Sequence, residues 1–323
     1  MSGVISQFTT PDRLYLDFYN LKEPPFSITP DPSFFYLSDT HQSVLEKILY
    51  GITSRLGFVL LIGEVGTGKT TICRCILDTL GENAKTVYII NPSLSGKEII
   101  STILDDLGVD YQSNSTKKDL ICSLNNFLLS TSQEKPVVIV IDDAQTMSTD
   151  TLENLRLLSN LETDKMKLIQ MVLIGQPELV ETINLPEMRQ LKQRIAMHCR
   201  LEPIRQEEVE QYISRRLFIA GDKGRIRFGA KAIKMIYQSS GGVPRILNKI
   251  CDYALLAAYI SNNFSVEPAY IKKALKEMGN LNFYAAPHCI RWPGAIRRFV
   301  FRWLPSLRDE AKIASSSWHS DLG

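Results

Sequence analysis

Eight residues constrain this 323-residue chain more than any other stretch: Gly63-Glu-Val-Gly-Thr-Gly68-Lys69-Thr70, which fits the spacing G-x-x-x-x-G-K-[ST]. They lie between an apolar run at 58–62 and a helical run starting at Lys69, so the chain must pass from a strand through a glycine turn into a helix. Glycines let the backbone wrap closely and aim successive N–H groups at one point, and the following helix adds the positive end of its dipole. Such a turn suits a phosphate group. Lys69 would reach the outer phosphate oxygens, and the Thr70 hydroxyl would hold magnesium. The nucleotide-binding candidates are Gly63, Glu64, Val65, Gly66, Thr67, Gly68, Lys69, Thr70 and Thr71.

Around this turn, apolar β-type runs alternate with helical ones, the pattern of a doubly wound parallel sheet. Strands are predicted near 58–62, 86–90, 137–141, 168–174 and 197–201, and helices near 41–56, 69–80, 96–107, 116–130 and 150–161. The run Val137-Val-Ile-Val-Ile141 is apolar at every position, which predicts a central strand covered on both faces. After Pro203 only helical patterns remain, near 206–220, 229–239, 243–260 and 267–277. The aromatic and proline-rich stretch at 14–37 is expected to pack as irregular structure. The resulting division is an N-terminal segment at 1–40, a nucleotide-binding domain at 41–203, a helical domain at 204–279 and a basic tail at 280–323.

The central strand runs directly into paired acids, Asp142 and Asp143, followed by Ala144 and Gln145. An acid at the end of a strand beside the phosphate turn can hold magnesium directly or through water, which is the role expected of Asp142; Asp143 would orient or deprotonate an attacking water. The next strand ends in Leu173-Ile-Gly-Gln176-Pro177, and Gln176 could contact the outermost phosphate or the water if that strand lies between the other two. Arginine suits charge developing on a transferring phosphoryl group, and Arg194 and Arg245 are the candidates among Arg189, Arg194, Arg200 and Arg245.

Composition narrows the setting. With 44% hydrophobic and 22% charged residues, the chain reads as a folded, water-soluble protein. The net charge of +2 is concentrated at 281–323, which carries +3 and leaves 1–280 at −1, so no global field draws nucleic acid to the body. The six cysteines have neither metal-ligand spacing nor the density of a disulfide framework, and the four histidines suggest no metal site. No leader or apolar run long enough to span a bilayer is read in the sequence, so a cytoplasmic protein is expected.

Taken together, PPFSITPDPSFFYL, LIGEVGTGKTT, VIDDAQ, LIGQPEL, LKQRI and GGVPRILNKICDYALLAA resemble the AAA+ ATPases of the ExeA/GspA secretion family, over about 14–279. Similar proteins serve pilus biogenesis and exosortase or exopolysaccharide systems. The resemblance implies an α/β P-loop AAA+ parallel sheet of strand order 5-1-4-3-2 followed by a small all-α lid, with ATP and Mg2+ as ligands. It assigns Lys69 and Thr70 to the nucleotide, Asp142 to magnesium, Asp143 as catalytic acid, Gln176 as first sensor, Arg194 as a finger acting on a neighbouring subunit and Arg245 as second sensor. It also implies a ring-shaped homo-oligomer and an inner-membrane or envelope-assembly partner.

Two departures stand out. The family usually has glutamate where this chain has Asp143, which favours slow hydrolysis. No counterpart of the membrane helix and peptidoglycan-binding region of secretion members is expected from these residues, and at the corresponding place stands AIRRFVFRWL at 295–304, whose helical projection puts Ile296, Phe299, Val300 and Trp303 opposite Arg297, Arg298 and Arg302. That segment could lie on anionic lipid or pack on protein. Three readings follow: an ATPase coupling turnover to assembly or secretion at the cytoplasmic face of the envelope, peripheral at the inner membrane; a DNA-associated AAA+ helper of the transposition type; or a nucleotide-gated scaffold with little hydrolysis.

Overall fold

The structure is a computed structural model and describes residues 11–29, 31–90, 92–131, 135–163 and 166–280. The amphipathic segment at 295–304 lies outside the described residues.

Strands β1 (Phe58–Gly63), β2 (Lys85–Ile89), β3 (Val137–Ile141), β4 (Ile169–Gly175) and β5 (Ile195–Leu201) form one parallel sheet. Its order is β2-β3-β4-β1-β5, which is the expected 5-1-4-3-2 read from the other edge. All five residues of β3 are buried, and the reason is visible in its alternation. Val137, Ile139 and Ile141 point into a core with the buried faces of α4 (Gly96–Leu107), α5 (Lys117–Thr131) and α6 (Thr149–Leu158). Val138 and Val140 point the other way, toward α2 (Asp39–Thr53) and α3 (Lys69–Leu80). A strand with apolar neighbours on both sides has no position left for a polar residue until it emerges, and β3 emerges at Asp142.

The chain continues through α7 (Pro177–Ile183) and α8 (Arg189–Arg194) into β5, then into α9 (Val209–Ile219), α10 (Ala230–Ser240), α11 (Pro244–Ile260) and α12 (Pro268–Asn280). The helical region also holds a short parallel pair, β6 (Arg227–Phe228) with β7 (Ser265–Val266), which the helix-only pattern did not anticipate.

The first segment needs a correction. Residues Pro11–Tyr19 form helix α1 rather than irregular chain. Pro11 stands in the first turn, where its missing N–H costs nothing, and the prolines that stop a helix begin only at Pro24. Tyr15 and Tyr19, one turn apart, are buried against α11. The Tyr15 hydroxyl donates to Asp252 at 2.7 Å, and that of Tyr19 donates to the carbonyl of Asn263 at 2.9 Å. Asn20 then turns the chain with φ 55°, and the proline-rich stretch beyond it is irregular as expected.

Candidate functional site

The ends of β1, β3 and β4 converge because the three strands are neighbours and parallel, so everything leaving their C-terminal ends faces the same side. The Gly63–Thr70 turn leaves β1, Asp142 and Asp143 leave β3, and Gln176 leaves β4, which does lie between the other two. Val65 to Thr71, Asp143, Gln176 and Arg245 line one cleft of about 430 Å³.

Lys69 is buried, and its ammonium donates to the carbonyls of Gly63 at 2.8 Å and Glu64 at 3.0 Å. Burial pulls its pKa below the usual lysine value, while Asp142 and Asp143 act in the opposite direction. The Thr70 hydroxyl donates to Asp142 Oδ2 at 2.8 Å, joining the first turn of α3 to the end of β3. Asp142 is 2% exposed, and its other oxygen accepts from the backbone N–H of Asp143 at 2.9 Å. A hydroxyl and a carboxylate oxygen side by side form a hard, oxygen-only donor pair, which fits a magnesium ion. The glycine turn and the buried lysine beside them fit a polyphosphate.

Asp143 is exposed and takes the left-handed conformation, φ 50° and ψ 37°, which aspartate tolerates better than most residues. Arg245 lies at the start of α11, with its backbone N–H donating to the Gly66 carbonyl at 3.2 Å. Arg194 is not brought into this cleft. Ile195 pairs with Phe58 and Leu201 with Gly63, so Arg194 stands at the opposite end of β1, about 17 Å from the turn by strand rise. Its guanidinium donates to Ser159 Oγ at 3.0 Å.

Three features of the site escaped the sequence reading. Ser27 to Thr29, Asp31 and Phe34 to Tyr36 line one wall of the cleft, fixed to the helical region by Arg216, which donates from Nε to the Pro25 carbonyl at 2.6 Å and from Nη2 to the Ser27 carbonyl at 3.3 Å. His41, buried at the start of α2, places Nε2 at 3.1 Å from the Thr67 carbonyl and contacts Ser38 through Nδ1. Because a carbonyl only accepts, Nε2 carries the proton, and the ring props the phosphate turn from below. Gln145 lies between Asp143 and Gln176. Proline density, a lone histidine and a glutamine in a turn carry no local pattern that would single them out.

Residues 52–183 match the AAA domain family. The chain is 41% identical over 269 residues to general secretion pathway protein A of Aeromonas hydrophila, an alignment spanning 83% of this chain and 49% of the relative; the chain thus spans about half that protein's length. Among solved structures it is similar to Cdc6p of Pyrobaculum aerophilum (TM-score 0.61, 20% identity, 78% of this chain and 70% of that one). It is also similar to the RuvB Holliday junction branch migration motor of Thermotoga maritima (TM-score 0.52, 16% identity, 76% and 73%). At those identities the likeness speaks for the fold. The chain therefore carries an AAA domain on the AAA+ fold and is a relative of general secretion pathway protein A.

Proposed function

We propose that the chain binds ATP with Mg2+ in this cleft and hydrolyses it, coupling turnover to assembly or secretion at the cytoplasmic face of the cell envelope. The observation that carries the reading is the Thr70–Asp142 hydrogen bond of 2.8 Å between the phosphate turn and the acid-bearing strand. Magnesium, held by Thr70 and Asp142, would supply charge neutralisation across the terminal phosphates.

In this reading the N–H groups of Gly63–Thr70 and the Lys69 ammonium fix the phosphates. Asp143 takes a proton from the water that attacks the terminal phosphorus as the bond to the bridging oxygen breaks, and Gln176 orients that water. Arg245 closes the helical region, residues 204–279, over the phosphates as a lid. Arg194 faces away from its own cleft, so it serves as a finger only in a ring-shaped homo-oligomer, where it reaches the cleft of a neighbouring copy. The similarity to general secretion pathway protein A supports an inner-membrane or envelope-assembly partner. Among the described residues no helix is long and apolar enough to cross a membrane. Attachment in this reading is peripheral, through that partner or through an anionic lipid surface.

The test is ATP turnover by the full chain, alone, with anionic liposomes and with duplex DNA, against Lys69→Ala as the blank. Turnover that rises with liposomes and loses that rise when 281–323 is deleted supports the envelope reading. Stimulation by DNA alone replaces it with a DNA-associated helper, and no turnover above the blank leaves a nucleotide-gated scaffold.

A further inference from the structure

Gln145 stands at the junction of the two residues expected to handle the attacking water. Its side-chain Nε2 donates to Asp143 Oδ1 at 3.0 Å, and its Oε1 accepts the backbone N–H of Gln176 at 3.1 Å. The partners settle which end of the amide is which, because a backbone N–H only donates and a carboxylate oxygen accepts. One planar group therefore ties a turn residue two positions back to a strand end 31 residues away.

The surroundings leave this amide little freedom. The turn that carries it is closed by the Thr146 backbone N–H and hydroxyl, each donating to the Asp143 carbonyl at 3.0 Å. Ala144 between them is fully buried. On the far side a Cβ on Gly175 would come within 3.0 Å of Gln145 Oε1 and 2.7 Å of Leu179, so the close approach needs a residue without a side chain there. A glutamine that merely stabilised its own turn would spend both ends of its amide locally. This one spends the acceptor on the segment that carries Gln176.

We infer that Gln145 is a positioning residue: it locks the short Asp143 side chain and the Gln176 segment into one unit, so that the proton acceptor and the water-orienting group keep a fixed separation in the cleft. Its value for turnover rests on the reading of Asp143 and Gln176 given above. The linkage itself does not depend on turnover. Aspartate is one methylene shorter than glutamate, and a carboxylate on a short stem has less room to find the water unaided. Gln145 supplies the constraint that sets its direction.

The experiment uses the full chain and two independent readouts. In steady-state turnover with Mg-ATP, Gln145→Ala and Gln145→Glu should lower kcat by about 10- to 100-fold, the scale of a lost hydrogen bond to a charged group. The Kd for a fluorescent ATP analogue should stay within about twofold, since no phosphate contact is touched. Gln145→Asn should be similarly slow, and Asp143→Glu/Gln145→Asn, which moves one methylene across the contact, should recover about tenfold over Gln145→Asn alone. In amide hydrogen exchange, the Gln176 N–H should exchange about tenfold faster in Gln145→Ala, and faster also in Asp143→Ala, where the amide loses its far anchor.

A kcat within twofold of native, or kcat, nucleotide affinity and melting temperature falling together, overturns the positioning role. Unchanged Gln176 exchange in both alanine variants overturns the linkage. If the native chain shows no turnover above Lys69→Ala, the hydrolysis reading fails by itself, and the exchange measurement still decides whether Gln145 joins Asp143 to Gln176.

Discussion

Gly66→Ala offers the most direct measure of how tightly the helical region is seated on the phosphate turn. Gly66 has φ +81°, and a Cβ there would stand 2.6 Å from the Arg245 Cβ, 3.3 Å from its Cδ and 3.4 Å from Val243 Cγ1. Two penalties follow. The left-handed backbone costs an alanine about 1–2 kcal/mol, and the overlap with the start of α11 costs about 1–3 kcal/mol if the packing is to be kept. The free chain can relieve this strain only by letting the cleft walls move apart, and nucleotide must then draw them back, so the about 2–5 kcal/mol is read as an affinity at least about 30-fold weaker. Arg245→Gly removes the offending Cβ without altering the turn. The affinity penalty of Gly66→Ala, measured by titrating a fluorescent ATP analogue, should therefore shrink in the Arg245→Gly background to the backbone part, about 1–2 kcal/mol. An equal penalty in both backgrounds would refute the reasoning, since it would mean that α11 does not touch the turn in solution.

Other substitutions test separate parts of the site. Asp143→Glu lengthens the carboxylate but displaces it from Gln145, so kcat in a working ATPase should change by less than about tenfold; a rate equal to the Lys69→Ala blank would point to a scaffold. Arg216→Met should cost about 2–5 kcal/mol in urea unfolding, because the Pro25 carbonyl loses a buried donor and the stacking over Phe34 at 4.9 Å is weakened; a cost under about 0.5 kcal/mol would mean that the cleft wall does not rest on this arginine. Burial holds the His41 pKa below its usual value, so the unfolded chain takes up that proton more readily than the folded one. The stability His41 contributes is whole above about pH 6.5, the ordinary histidine pKa, and is lost as pH falls from there toward the depressed value. His41→Gln should retain a donor for the Thr67 carbonyl and flatten that acid limb between about pH 7 and 5, read as the difference in urea midpoint between variant and native chain; identical limbs would remove His41 as its source.

The parts of this molecule that could be read from sequence are those in which neighbouring residues share one environment. The all-apolar run at 137–141 identifies a strand buried on both faces, and the Gly63–Thr70 spacing identifies a glycine turn leading from β1 into α3, since every residue needed lies within one turn of chain. Strand order followed from family resemblance, because alternation reports which faces of a strand are buried and says nothing of its neighbours. Aromatic and proline density over 14–37 conceals helix α1, although the prolines of that stretch begin only after Tyr19 has ended the helix.

The cleft itself is harder to read for the same physical reason. Its walls come from Ser27 to Thr29 and Phe34 to Tyr36, from the glycine turn, from two strand ends and from helices beyond Ile204, joined by single contacts such as Arg216 to Pro25 and His41 to Thr67. Each such contact uses an ordinary side chain whose partner is remote in sequence, so local pattern cannot distinguish it from a surface residue. The same construction has a mechanical consequence. Because Arg216 and Asn248 of the helical region grip the Ser27 carbonyl while Arg245 grips the Gly66 carbonyl, any displacement of α9 and α11 must carry the irregular wall and the phosphate turn with it or break those bonds. In the proposed reading, a change in phosphates held by this turn would thereby be felt by the helices, as nucleotide-driven coupling requires.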